Sequence, residues 1–251
     1  MPDKLVFLGT GAGDKGMLRQ RVRTSSLYFQ LEGLRFILDP GPGTIVNANK
    51  EGIDLEKLDG LIVSHPHPDH CSDANPLIDA LRKDDSFLIA GKKCLQESKK
   101  YFPCINKFQQ SIPEKVFSIG HGDKFKIKGL TFEAVKNNHL DCGLGIKLMG
   151  SKKIGYVGDG SLEGLSKFYS GMDILIFNTL LPHGKKPMRG IHTSIEEVID
   201  FLKLTRPKKA IIQHFSEDML EKGIDKEAQL IEKETGIETL AAKDGLELSL
   251  K

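Results

Sequence analysis

The sequence predicts an α/β fold: a single domain, residues 1–251, assembled from two sheet-plus-helix halves. Three observations predict it. Short apolar runs of strand length recur along the whole chain. Their order is strand-rich, helical, strand-rich, helical, with no strict repeat. No Pro/Gly/Ser-rich linker divides the 251 residues, of which 39% are hydrophobic.

Residues 4–8 are a short apolar run stopped by Gly9-Thr10-Gly11-Ala12-Gly13. Residues 25–31 and 34–38 flank Glu32-Gly33 and predict a hairpin. Residues 61–63 predict a buried strand that runs directly into Ser64-His65. Apolar spacing predicts a short helix over 76–82, a strand over 87–90 and a helix over 92–101. Strands are expected at 116–119, 125–127, 130–135, 145–149, 153–157 and 174–177, with Gly129 in a turn. The strongest helix is 194–205. Ile195, Val198, Ile199 and Leu202 share one face, Ser194 and Glu197 fit a capping box, and Pro207 stops it. A strand at 210–212 leads to His214. A helix follows at 225–234, capped by Asp225 and closed by Gly236, and strands at 237–240 and 246–250 flank Asp244-Gly245.

Composition narrows the function classes. Charged residues make up 28% and the formal net charge is +2, too little for general coating of nucleic acid. No apolar run approaches the ~20 residues that span a bilayer, and no apolar segment follows the first Met as in a secretory signal. Cys71, Cys94, Cys104 and Cys142 form no CxxC pair, so reduced, packed thiols in a cytoplasmic protein are expected.

The sharpest feature is Ser64-His65-Pro66-His67-Pro68-Asp69-His70, with three of the chain's eight His in six positions directly after a buried strand. Imidazoles and carboxylates are ligands suited to Zn²⁺ and similar divalent ions. His65 and His67 project to one side of an extended segment, and the two prolines stiffen it. Three more segments follow: Lys136-Asn137-Asn138-His139, Tyr156-Val157-Gly158-Asp159-Gly160 and Gln213-His214-Phe215-Ser216, each after a strand. Ligands just past strand C-termini are where α/β sheets place their sites.

This series resembles the HxHxDH signature and later ligand motifs of the metallo-β-lactamase superfamily, in the family's order and over nearly the whole chain. The resemblance implies a four-layer αβ/βα sandwich. It also implies two divalent ions per chain, with Zn²⁺ expected and Mn²⁺ or Fe²⁺ as alternatives. His65, His67 and His139 would hold one ion, Asp69, His70 and His214 the other, and Asp159 would bridge them. Asp69 also enters as a catalytic residue. Metals that lower the pKa of water need no Ser or Cys nucleophile, and the chain has no GxSxG elbow.

Phe7-Leu8-Gly9-Thr10-Gly11, Ser25-Ser26 and Asp39-Pro40-Gly41-Pro42-Gly43-Thr44 resemble the branch that contains ribonuclease Z and the PhnP-type phosphodiesterases. In that branch a His placed like His192, 22 residues before His214, lies by the metals and acts as a phosphate contact or general acid. His183, Lys185, Lys186 and Arg189 crowd the preceding loop and are candidate substrate-binding residues; Arg19, Arg21 and Arg23 form a second basic group. Thr193 and Ser194 are expected to act as caps. Only 20 residues separate His139 from Asp159, too few for the long tRNA-binding arm of bacterial ribonuclease Z. The PhnP-type N-terminal cysteines are missing, because no Cys precedes Cys71. The expected function is hydrolysis of a small or cyclic phosphodiester or RNA end by a cytoplasmic enzyme. A homodimer is compatible with this reading, and neither membrane association nor a stable nucleic-acid complex is expected. The alternatives are hydrolysis of a lactone or thioester and, from another class, a non-catalytic metal-dependent binding protein.

Overall fold

The computed structural model describes residues 2–13, 15–140, 142–185 and 191–250. The chain forms two compact units, residues 1–120 with 243–251, and residues 121–242.

The first unit is a mixed seven-stranded sheet. Its strands are β1 (Lys4–Gly9), β2 (Ser26–Leu31), β3 (Leu34–Leu38), β4 (Gly60–Val63), β5 (Phe87–Gly91), β6 (Lys115–Ile119) and the chain's last strand, Glu247–Ser249. The last strand pairs with β1, and β1 to β6 follow in sequence order. The predicted hairpin forms, with Leu31 opposite Leu34. Glu32 and Gly33 both have positive φ, +51° and +73°, as a two-residue primed turn requires. From β3 onward the strands are parallel. They are therefore buried on both faces, and every residue of β4 and β5 is buried.

Short helices join these strands: α1 (Lys15–Arg19), α2 (Thr44–Lys50), α3 (Pro68–Cys71), α4 (Ala74–Ile78), α5 (Lys92–Leu95) and α6 (Lys107–Gln110). The helix predicted over 76–82 begins at Ala74 and ends in a 3-10 turn at Asp79–Leu81. Pro76 is tolerated because it lies in the first turn. The helix predicted over 92–101 stops after Leu95. Beyond it the Ser98 hydroxyl accepts the N–H groups of Lys100 and Tyr101, a local bond that competes with helix. Ile37, Leu61, Val63, Leu88 and Ala90 form one core with Leu58, Ala74, Leu77, Ile78 and Leu81.

The second unit holds β7 (Lys124–Ile127), β8 (Leu130–Lys136), β9 (Leu144–Met149), β10 (Lys153–Gly158), β11 (Ile174–Leu181), β12 (Thr193–Ser194), β13 (Lys209–Gln213) and β14 (Glu238–Ala241). The order is β14-β13-β11-β10-β9-β8-β7, with short β12 on β11. β7 to β10 are antiparallel, and β10, β11, β13 and β14 run parallel. β9 and β10 fill the interval between His139 and Asp159, as the short spacing predicts.

Three helices complete this unit: α7 (Ile195–Thr205), α8 (Glu217–Lys222) and α9 (Ile224–Thr235). The capping box at Ser194 and Glu197 forms, and α7 ends at Arg206 with φ +49°, just before Pro207. Its buried face is Ile195, Val198, Ile199, Phe201 and Leu202. In α9 the expected cap is corrected: Gly223 stands at the N-cap and Asp225 lies inside the first turn. Asp225 is still favourable there, because the helix dipole attracts a carboxylate at that end. Gly236 closes the helix with φ +70°.

The last strand of the chain, β15, is Glu247–Ser249. The four cysteines carry thiols, with Cys71, Cys94 and Cys142 buried and Cys104 half-buried. No described helix is long and apolar enough to cross a membrane.

Candidate metal centre

In the first unit the His-rich segment leaves the end of β4. Ser64 and His65 are buried at 0% and 1% exposure, and His67 starts α3 with Pro68 at its first position. Asp39, at the end of β3, organises the loop. Its Oδ1 accepts the Ser64 N–H at 2.7 Å, and its Oδ2 accepts the Ser64 hydroxyl at 2.7 Å. Oδ2 also lies 3.0 Å from His70 Nδ1. Asp39 itself sits at φ +53°, a backbone conformation that non-glycine residues adopt rarely and mostly as Asn, Asp or His.

These bonds fix which ring nitrogens carry protons. A carboxylate only accepts, so His70 Nδ1 must donate to Asp39. Ser64 has already given its proton to Asp39, so its oxygen accepts from His65 Nδ1, 2.9 Å away. In the neutral rings both Nε2 atoms are then lone pairs. His70 Nε2 faces Asp69 Oδ2 at 3.3 Å, and His65 Nε2 faces His67 Nδ1 at 3.0 Å. Two acceptors turned toward each other, as at His70 and Asp69, are what a shared cation would explain. Ligand atoms of Asp39, His65 and His70 lie within 4.8 Å of one another. Asp39 is already committed through Nδ1 of His70, so its role is to orient that ring.

Asp69 is held by close backbone packing. A Cβ on Gly41 would fall 2.1 Å from the Asp69 carbonyl oxygen, and one on Gly13 would fall 2.5 Å from Asp69 Oδ2. The Gly41 turn is therefore a steric requirement of the ligand loop.

In the second unit His139 follows β8, Asp159 follows β10 and His214 follows β13. All three are buried. The Ile191 carbonyl accepts from His139 Nδ1 at 3.0 Å, leaving Nε2 to face Asp159 Oδ2 at 3.8 Å. His214 Nε2 faces the other oxygen, Oδ1, at 3.7 Å. These separations exceed hydrogen bonds, yet suit two ligands about 2.0–2.2 Å from a common ion. One carboxylate thus offers one oxygen toward each imidazole. Asn178 donates to Asp159 Oδ1 at 2.6 Å and to the Tyr156 hydroxyl at 2.8 Å, and Gln213 donates to Asn178 at 2.6 Å. His214 has φ +62°.

His192 joins this second set. Its ring centroid lies 5.3 Å from that of His139, and ligand-type atoms of His139, Asp159 and His192 lie within 4.8 Å of one another. It is half-buried, whereas the two neighbouring ligand candidates are buried. Thr193 is corrected from the expected cap: its hydroxyl donates to the Gly160 carbonyl at 2.5 Å, and its backbone pairs with Thr179. Ser194 does cap α7.

The basic loop divides. His183 Nδ1 lies 3.0 Å from Glu196, and Lys185 pairs with Asp218. Lys186 and Arg189 lie outside the described residues. Of the N-terminal arginines, Arg23 pairs with Glu51 at 2.5 Å.

Asp39, Ser64, Asn178 and Gln213 were not singled out as functional by sequence. Asp39 and Gln213 sit inside motifs that drew attention for other residues. Asn178 carries its own signal, a polar residue inside the apolar run of β11, for which burial demands a partner.

A family model described as a beta-lactamase superfamily domain matches residues 34–215, the stretch that contains every candidate ligand. An uncharacterized protein of Methanocaldococcus jannaschii is 28% identical over 98% of this chain and 95% of its own length. A solved diphosphatase of the PhnP family aligns with TM-score 0.69 and 19% identity over 99% of this chain and 98% of that one. Human tRNase Z, short form, aligns with TM-score 0.72 and 18% identity over 99% of each chain. These likenesses show the metallo-β-lactamase fold, with two mixed sheets and their helices, that the sequence motifs predict.

Proposed function

This chain belongs to the beta-lactamase superfamily, and on that premise we propose that it is a dinuclear-metal-dependent phosphodiesterase acting on a small or cyclic phosphodiester or an RNA end. His65, His67 and His139 would hold one ion and Asp69, His70 and His214 the other, with Asp159 shared between them. The donor chemistry supports this reading: imidazole lone pairs and carboxylate oxygens face one another in both units. Zn²⁺ suits such nitrogen and oxygen ligands, and Mn²⁺ or Fe²⁺ are the alternatives. Bound ions of this kind acidify water and polarise a phosphoryl oxygen.

The chain's own residues supply the rest. Asp39, Ser64 and the Ile191 carbonyl hold the imidazoles in the tautomers that leave Nε2 available. Asn178 restrains the Asp159 carboxylate. Asp69, beyond its ligand role, would accept the proton that the attacking water gives up. Hydrolysis forms a new P–O bond from water and breaks the bond to the leaving oxygen. A protonated His192 hands its proton to that oxygen.

The observation that carries the phosphodiester reading is His192, a half-buried imidazole beside His139 and Asp159. The phosphate chemistry in the names of the diphosphatase and tRNase Z neighbours supports it. The test is metal analysis combined with a panel of a 2′,3′-cyclic nucleotide, an alkyl phosphodiester, a lactone and a thioester. Turnover of the phosphodiesters is expected. Preference for the lactone or thioester overturns the substrate class, and metal binding with no turnover of any substrate makes the protein a binding module.

A further inference from the structure

We propose that residues 92–108 form a nucleotide platform, in which Phe102 and Tyr101 stack an unpaired base and neighbouring lysines neutralise its phosphates. This rests on the phosphodiesterase reading and names its substrate class: the nucleotide end of a single-stranded RNA.

The segment lies wholly in the first unit. It carries five Lys and one Glu between residues 92 and 107. Lys92, Lys99, Lys100 and Lys107 have no carboxylate partner among the described residues. Elsewhere in this unit Lys4 pairs with Glu247, Lys57 with Asp54 and Lys115 with Asp85. Two residues of the predicted phosphate loop also have acidic partners, His183 with Glu196 and Lys185 with Asp218. Four lysines without a carboxylate partner thus fall close together between residues 92 and 107.

Aromatic rings interleave these lysines. Phe102 is 81% exposed and Phe108 61% exposed. The Arg82 guanidinium lies 5.6 Å from the Phe108 ring centroid, whereas the Phe102 ring stands largely in water. The backbone beneath is anchored: Ile105 is fully buried, Asn75 donates to the Cys104 carbonyl, and Gln110 donates to the Leu95 and Ile105 carbonyls. Ser98 closes the turn that presents Lys99 and Lys100. Phe102 is thus displayed from a braced support.

The segment also reaches the metal-ligand loop. The Tyr101 ring centroid lies 6.2 Å from that of His67, and Lys93 Nζ lies 5.7 Å from the Tyr101 ring centroid. A base stacked here sits one residue from a candidate metal ligand, the position a nucleotide next to a cleaved phosphodiester must take. Aromatic faces with interspersed cations are how single strands are held without sequence preference. An anionic membrane surface would also accept exposed Phe and Lys, but gives no reason for Tyr101 to meet His67.

The test uses the metal-loaded protein and a fluorescein-labelled octaribonucleotide with 2′-O-methyl sugars and phosphorothioate linkages, so binding is read without cleavage. Phe102→Ala should weaken binding about 10-fold, the scale of one lost stack. Lys99→Gln with Lys100→Gln should flatten the slope of log affinity against log salt by about 1. Both variants should keep wild-type melting temperature, metal content and rate on an alkyl phosphodiester. Wild-type protein that does not bind the oligonucleotide, or variants that bind it unchanged, overturns the platform. Loss of binding to phosphatidylserine vesicles alone makes the segment a membrane contact instead. Oligonucleotide binding without hydrolysis of any phosphodiester keeps the platform and sinks the phosphodiesterase reading.

Discussion

Asp39 shows how much of a metal site depends on residues that need not touch metal. Its two oxygens take up three donors, the Ser64 N–H, the Ser64 hydroxyl and His70 Nδ1. Asp39→Ala removes all three acceptor contacts and frees two rings to rotate. Metal affinity is expected to fall about 10–100-fold, the usual cost of losing such a partner, as read by competition with a chelating dye. His192→Ala makes the opposite demand. It should keep both metals and lower kcat by about 10²–10⁴ on an alkyl phosphodiester, the scale of general acid–base catalysis. The loss should shrink on a nitrophenyl ester, whose leaving group departs unprotonated. An unchanged kcat on the alkyl ester would remove His192 from the mechanism.

Turns and caps decide where the elements hold these side chains. The turn after β3 needs Gly41 because the Asp69 carbonyl occupies the space a Cβ would fill, 2.1 Å away. Gly41→Ala must push α3 outward at a cost of about 1–3 kcal/mol, and should lower metal retention more than its drop in melting temperature implies. At α7, Ser194→Ala removes one cap bond, worth about 1 kcal/mol. Glu197→Ala should cost more, about 2–3 kcal/mol, because Glu197 also accepts from the Ser161 hydroxyl and the Leu162 N–H. Chemical denaturation of the two variants checks the order. Ser161 lies two residues past Asp159, so the helix cap and the Asp159 loop share one anchor.

Across the whole chain the candidate ligands follow four strand ends, β4 in the first unit with four candidates, and β8, β10 and β13 in the second with one each. About two divalent ions per chain are expected after gentle purification, by elemental analysis. Asp159→Ala should lose both activity and tight occupancy, since one carboxylate faces two imidazoles. Full occupancy in that variant would rule out the bridge. Removing the metals with a chelator should destabilise the protein, because buried carboxylates and imidazoles then lose the charge that offsets their burial.

The HxHxDH run, His139, Asp159 and His214 were legible because their chemistry is local: ligand types at strand ends, in a fixed order. The hairpin at Glu32-Gly33 and the α7 capping box were legible for the same reason, since turn and cap geometry depend on neighbours a few residues away. Other features required distant residues to meet. Ser98, rather than any apolar pattern, ended the helix after Leu95. Asp39 became a partner of His70 across 31 residues, and Asn178 a partner of Asp159 across 19. The ion pairs of the basic loop also join distant positions, His183 with Glu196 and Lys185 with Asp218. Sequence by itself determined which groups can ligate, because donor chemistry belongs to the residue. Only the tertiary structure decided which nitrogen each ring offers and which lysines remain unpaired, because hydrogen bonds and ion pairs are made between segments the chain order keeps apart.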